Sequence, residues 1–112
     1  MIEEQIKDIE EKELDCFLTT KFIKGGRLEF RKAFIEHYPN FMCRLRSIVP
    51  DITDGEEILC MLIHLKQSSS DIAAILSICR KSVKQTRYRL RSKIGLPSHI
   101  TLDAFVHQIL SE

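Results

Sequence analysis

Residues 68–97 read SSSDIAAILSICRKSVKQTRYRLRSKIGLP, and the fold of the chain turns on them. Ser68-Ser69-Ser70 offers a helix cap. The segment Asp71 to Ser77 then presents Ile72, Ala73, Ile75 and Leu76 on one face, the pattern of a short helix. A turn over Ser77 to Cys79 leads into a second helix, Arg80 to Ile94; Gly95 ends it and Pro97 prevents it from resuming. On a wheel of about 100 degrees per residue, Leu90 and Ile94 fall within about 20 degrees of Val83 and form the buried seam. Lys81, Lys84, Gln85, Tyr88, Arg89 and Ser92 point outward, with Arg87 and Arg91 on the flanks.

The charge along the chain is segregated, although the net charge is only +1. Residues 1–15 hold seven acids and two lysines, and residues 51–71 hold five acids and Lys66 alone. Between Ile72 and Leu102 there is no acid, while Arg80, Lys81, Lys84, Arg87, Arg89, Arg91 and Lys93 supply seven positive charges. An acid-free basic helix is what a surface facing DNA phosphates needs, because neutralising them releases counterions. A short helix, a turn and a basic helix is also the order of a helix-turn-helix, whose second helix enters the major groove. Charge and order alone leave a solvated basic face on an interaction module equally open.

Outward from this segment every strong periodicity is helical, so an all-α protein is expected. A first helix is expected over about Glu3 to Phe22, with Ile2, Ile6 and Ile9 on one stripe and Gly25-Gly26 at its end; that stripe suits either a short dimer seam or packing on the chain's own core. From Leu28 to Val49 the residues Phe30, Phe34, Ile35, Tyr38, Phe41, Met42, Leu45, Ile48 and Val49 keep helical spacing through a break at Tyr38-Pro39, predicting two helices with an apolar core stripe. Thr53 or Asp54 caps a helix reaching about Lys66, almost wholly apolar from Ile58 to Ile63 and therefore buried on more than one side. Glu56 and Glu57 lie in its first turn, where the helix dipole favours negative charge. A final helix over Leu102 to Leu110 would bury Phe105, Val106, Ile109 and Leu110.

A composition of 44% hydrophobic and 29% charged residues is that of a folded domain. No run approaches the roughly 20 apolar residues of a membrane span, and the acidic N-terminus lacks the order of a signal peptide, so a cytoplasmic location is expected. Cys16, Cys43, Cys60 and Cys79 form no C-x-x-C pair and read as buried free thiols. The four histidines, His37, His64, His99 and His107, are scattered, and no catalytic motif or glycine-rich phosphate loop occurs. Neither an enzyme, a metal site, a cofactor nor a small-molecule site is expected.

The residue order adds a resemblance. Residues 52–96, ITDGEEILCMLIHLKQSSSDIAAILSICRKSVKQTRYRLRSKIGL, resemble the LuxR-type (GerE-type) helix-turn-helix family without a gap. The positions that carry it are Thr53, Glu56, Ser68, Asp71-Ile72-Ala73, Ser82-Val83 and Lys93-Ile94-Gly95. The stretch Phe30 to Leu110 is also similar to the C-terminal output module of bacterial regulators with an upstream sensor, often membrane-tethered. The resemblance implies a four-helix DNA-binding domain over 51–112, preceded by a helical segment over 1–50 that serves dimerisation or links to a sensor. It implies sequence-specific binding of double-stranded DNA by a transcription regulator, with a homodimer and a contact to RNA polymerase as further partners. Lys84, Gln85 and Tyr88 are the implied base readers. They are also among the outward residues of the wheel, and Lys and Gln suit guanine and adenine edges. Ser69, Ser70, Lys81, Ser82, Arg87, Arg91 and Lys93 are the expected phosphate contacts.

The chain departs from the family pattern at five places, one of them Gln67 where an apolar residue is usual. Lys66 stands where Gly is usual after the first helix, Ser77 where Gly or Asn takes a left-handed turn, Cys79 where Ser caps the recognition helix, and Arg80 where Pro is common. Two other readings stay open: a promoter-binding fold like region 4 of a sigma factor, and a helix-turn-helix retained for protein interaction or dimerisation.

Overall fold

A computed structural model describes residues 2–109, with side chains described over 16–109. Its regular elements are six helices: α1 (Ile2–His37), α2 (Pro39–Ile48), α3 (Asp54–His64), α4 (Ser69–Leu76), α5 (Arg80–Ile94) and α6 (Leu102–Gln108). Among the described residues there is no strand, so the protein is all-α as the periodicity predicts.

The first helical arm ends at the Gly25-Gly26 pair, as expected. The chain breaks at Gly26, with φ 80° and ψ −172°, a region open to glycine and strained for any residue with a Cβ, but a second helical arm follows directly and runs to His37. The Ile2, Ile6 and Ile9 stripe belongs to residues whose side chains lie outside the described set, and so does Leu110. At the next junction Pro39 occupies the first turn of α2, where its missing N–H costs nothing. Of the expected core stripe, Phe30, Phe34, Phe41, Met42, Leu45 and Val49 are buried, whereas Ile35 and Ile48 are exposed because they lie on the far faces of α1 and α2.

The central element is α3, where every residue from Glu56 to Ile63 is buried. Thr53 and Glu56 form a reciprocal capping box: the Thr53 hydroxyl accepts from the Glu56 N–H at 3.2 Å and the Glu56 carboxylate accepts from the Thr53 N–H at 2.9 Å. Around α3 a single apolar cluster joins Leu18, Phe30, Phe34, Phe41 and Leu45 of the first 50 residues to Ile72, Val83, Leu90, Leu102, Val106 and Ile109 of the rest. Ion pairs follow the same path. Arg27 and Arg31 hold Asp54 at 2.7 and 2.9 Å, while Arg31 and Arg46 hold Glu57 at 3.0 and 2.7 Å.

The cysteine expectation needs correction. All four thiols are free, but only Cys60, on the enclosed α3, is buried; Cys16, Cys43 and Cys79 are exposed on outer helix faces or in a turn. Burial pushes the Cys60 thiol up to about 12.

Candidate nucleic-acid interface

α4 and α5 are packed together and joined by residues 77–79. Ser68 caps α4 by accepting from the Asp71 N–H at 3.1 Å, and the Asp71 carboxylate returns a bond to the Ser68 N–H. Ser77 then takes the left-handed conformation, with φ 56° and ψ 43°, and its N–H closes the helix on Ala73 and Ala74. Lys66, in the loop before α4, has φ 64°. Both residues thus adopt the backbone that favours glycine while carrying a Cβ, which costs on the order of 1 kcal/mol each. At the start of α5 Cys79 sits at the N-cap without a side-chain capping bond; its sulfur lies 3.2 Å from the Ser82 hydroxyl instead. That contact holds the thiol below its ordinary range. Arg80, which stands where Pro is common in the family, donates to the Ser70 hydroxyl and ties the first turn of α5 to α4.

Val83 and Leu90 anchor α5 in the core, Ile94 is half-buried, and Gly95 ends the helix in the left-handed conformation. Burying each of the two core side chains is worth about 1.5–3 kcal/mol. Fixing that seam turns the opposite side of α5 to solvent, where Lys81, Lys84, Gln85, Tyr88 and Arg89 line one shallow depression. Tyr88 is 72% exposed, unusual for a residue with so much apolar surface. No carboxylate among the described residues reaches Lys81, Lys84 or Arg89; Arg89 donates only to the Thr86 hydroxyl, at 3.2 Å.

The other expected phosphate contacts divide. Ser69 and Ser70 lie in the first turn of α4, and Ser82 in the first turn of α5. Arg87, Arg91 and Lys93, expected as free anchors, have partners within the protein. Arg87 forms an ion pair with Asp103 of α6. Arg91 donates to the carbonyls of Ile100 at 2.7 Å and Pro97 at 3.1 Å. Lys93 donates to the Asp51 carbonyl at 3.0 Å and the Glu56 carboxylate at 2.8 Å. These three side chains fasten α5 to α3, to α6 and to the connection before α6.

Their partners were not visible in the sequence. Glu56 reads there as a first-turn residue favoured by the helix dipole, yet its 2%-exposed carboxylate is also the anchor for Lys93. Burial pushes that carboxyl up, but the Lys93 and Thr53 hydrogen bonds and the Lys93 charge outweigh it and hold the group below the ordinary range. The same balance, through Arg46 and Arg31, holds Glu57 low. Among the described residues no group of three His, Cys, Asp or Glu side chains is placed to hold a metal ion. No described helix is long and apolar enough to cross a membrane. No protein-family model, curated protein or solved structure matches the chain.

Proposed function

We propose that this chain binds duplex DNA sequence-specifically through α5, as a LuxR-type helix-turn-helix serving a bacterial cytoplasmic transcription regulator or its output domain. The observation that carries the reading is the outward face of α5: Lys81, Lys84, Gln85, Tyr88 and Arg89 side by side, without a carboxylate among the described residues to neutralise them. Lys84 and Gln85 match the donor and acceptor patterns of guanine and adenine edges, and Tyr88 offers a ring for a thymine methyl or a hydroxyl for a phosphate. Lys81 and Arg89, with the hydroxyls of Ser69, Ser70 and Ser82, are the backbone contacts that set register. Positive φ at Lys66 and Ser77 supports the resemblance, since these are positions where the family usually carries Gly, or Gly and Asn.

The test is selection of binding sites from random duplex DNA, followed by single substitutions. Lys84→Ala, Gln85→Ala and Tyr88→Ala should each relax the enriched motif at particular positions, at about 1–3 kcal/mol for a lost bidentate base contact. Lys81→Ala should weaken binding to all sequences alike. If the wild-type protein enriches no motif and its DNA affinity does not fall as salt rises, the chain is not a DNA-binding protein, and an interaction module becomes the better reading.

A further inference from the structure

α2 packs on α1 and α6 packs on α3, and between the free sides of α2 and α6 lies a cleft of about 390 Å³. Its α2 wall is Arg44, Ser47 and Ile48, and its α6 wall is Phe105, Gln108 and Ile109. Ser47 and Ile48 follow Arg44 by three and four residues, and Gln108 and Ile109 follow Phe105 by the same intervals, so each trio shares one side of its helix. Ile48 is 46% exposed although apolar, and Phe105 is only half-buried. Small-molecule sites span roughly 300–1,000 Å³, which includes this cleft. It has room for about a dozen water-sized groups.

Charge gives the cleft its preference. The first 50 residues contain four arginines. Arg27, Arg31 and Arg46 are held by Asp54 and Glu57, whereas Arg44 has no carboxylate partner among the described residues, and no residue lining the cleft is acidic. The Arg44 Nη1 donates to the Ile109 carbonyl at 2.9 Å, which pins the guanidinium between α2 and α6. A guanidinium carries its N–H donors in a fixed fork, and one bond leaves most of them for a second acceptor. Arg44 is half-buried, where a cation attracts an anion more strongly than in open water. Ser47 and Gln108 add a hydroxyl and an amide to the lining.

We infer that the α2–α6 cleft binds a small amphipathic monocarboxylate, with its anionic head on Arg44 and its apolar body against Ile48, Phe105 and Ile109. One cation balances one negative charge, and the guanidinium fork matches a planar carboxylate. A phosphate dianion would keep an uncompensated charge against apolar walls. The binding does not rest on the proposed DNA contact. It lies close to it, since Asp103 of α6 pairs with Arg87 of α5, and an occupant that moved α6 would bear on α5.

The protein carries its own reporter, because exposed Cys43 also lines the cleft while exposed Cys16 and Cys79 do not. Alkylation of the full chain by iodoacetamide, followed at each cysteine by mass spectrometry in the absence of DNA, tests the site with phenylbutyrate as the probe. At ten times its dissociation constant the probe should slow Cys43 about tenfold and leave Cys16 and Cys79 unchanged. Phenylbutyramide, its neutral counterpart, should need about tenfold more for the same protection, since it lacks the charge-assisted bond. Arg44→Met keeps the stem, removes the charge and should weaken the protection by about tenfold or more. Because Arg44 also holds the Ile109 carbonyl, Ile48→Glu is the second variant: Ile48 is exposed, so the fold should be kept, and a carboxylate on that wall should repel the probe to the same degree. No protection of Cys43 in the full chain, equal slowing of all three cysteines, equal protection by the amide, or protection that survives Arg44→Met or Ile48→Glu would each overturn the inference. If protection is gained only when residues 110–112 are removed, the inference also fails, and the chain's own Glu112 end is the better occupant.

Discussion

His64 should make the protein lose stability in mild acid before its carboxylates are protonated. Its ring is enclosed by Phe34, Tyr38 and Phe41 at centroid distances of 5.9, 4.6 and 5.1 Å, and its buried Nδ1 has no hydrogen-bond partner among the described residues. Burial, with smaller contributions from the charges of His107 and Lys66, pushes its pKa from the ordinary 6.5 down to about 4. The unfolded chain therefore binds a proton between pH 6.5 and about 4 that the folded chain refuses. The stabilisation associated with a neutral His64 is complete above pH 6.5 and declines as the pH falls towards 4. The full displacement corresponds to roughly 3 kcal/mol at about 1.4 kcal/mol per tenfold change in proton affinity. Because part of the ring edge reaches solvent, about 2 kcal/mol is the expected effect. Replacing His64 with Phe keeps the aromatic packing and removes the titration. Urea denaturation at pH 7 and pH 4.5 should then show the variant gaining about 2 kcal/mol on the wild type as the pH is lowered. Glu56 and Glu57, held below the ordinary carboxylate range, lose their contribution only at lower pH. A stability difference that stays constant between the two pH values would refute the reasoning.

Two further outcomes follow from the turn around α4. Lys66→Gly and Ser77→Gly should each stabilise the fold by about 0.5–1 kcal/mol in denaturant titrations, because relief of a left-handed Cβ exceeds the added flexibility of the unfolded chain. Cys79→Ser should add about 0.5–1 kcal/mol by giving α5 the cap it lacks, readable as a raised denaturation midpoint with unchanged slope.

Much of the fold was legible because its signals are local. The bounds of α5 follow from Gly95 and from the seam of Val83, Leu90 and Ile94, while the Pro39 junction and the Thr53 cap depend on residues within one turn. Gly25-Gly26 marks the break that separates the two arms of α1, though not the angle at which the chain continues. Exposure of Cys16, Cys43 and Cys79 was missed for a related reason: apolar neighbours in sequence are not neighbours on a helix face. For the candidate site, the outward set Lys81, Lys84, Gln85 and Tyr88 was legible from the wheel. The internal partners of Arg87 and Lys93 were not, because Asp103 and Glu56 are 16 and 37 residues away in the chain. A signal was nevertheless present. Taking Val83 as zero, Arg80, Arg87, Arg91 and Lys93 lie within about 80 degrees of the buried seam, while Lys81, Lys84 and Arg89 lie about 100 degrees or more from it. The first four all bond to the protein itself, and none of the last three meets a carboxylate among the described residues.

That division alters what the run of seven charges means for DNA. If every cation of α5 neutralised a phosphate, the logarithm of affinity would fall against the logarithm of salt with a slope of about −6 per bound copy. With Lys81 and Arg89 as the phosphate-directed cations and Lys84 reading a base, the expected slope is about −2 per copy. Breaking the Lys93–Glu56 pair to recruit Lys93 would leave a buried carboxylate without its cation, a cost of several kcal/mol that one phosphate contact does not recover. Fluorescence anisotropy of a labelled duplex over a series of salt concentrations, with the number of bound copies fixed by sedimentation, distinguishes the two values. A slope near −2 that drops by about 1 in Lys81→Ala and stays unchanged in Lys93→Met would establish that the basic helix is electrostatically two-sided, one side fastening it to the fold and the other facing DNA. A slope near −6 would mean that Arg87, Arg91 and Lys93 exchange their internal partners for phosphates on binding, and that α5 is repositioned when DNA arrives.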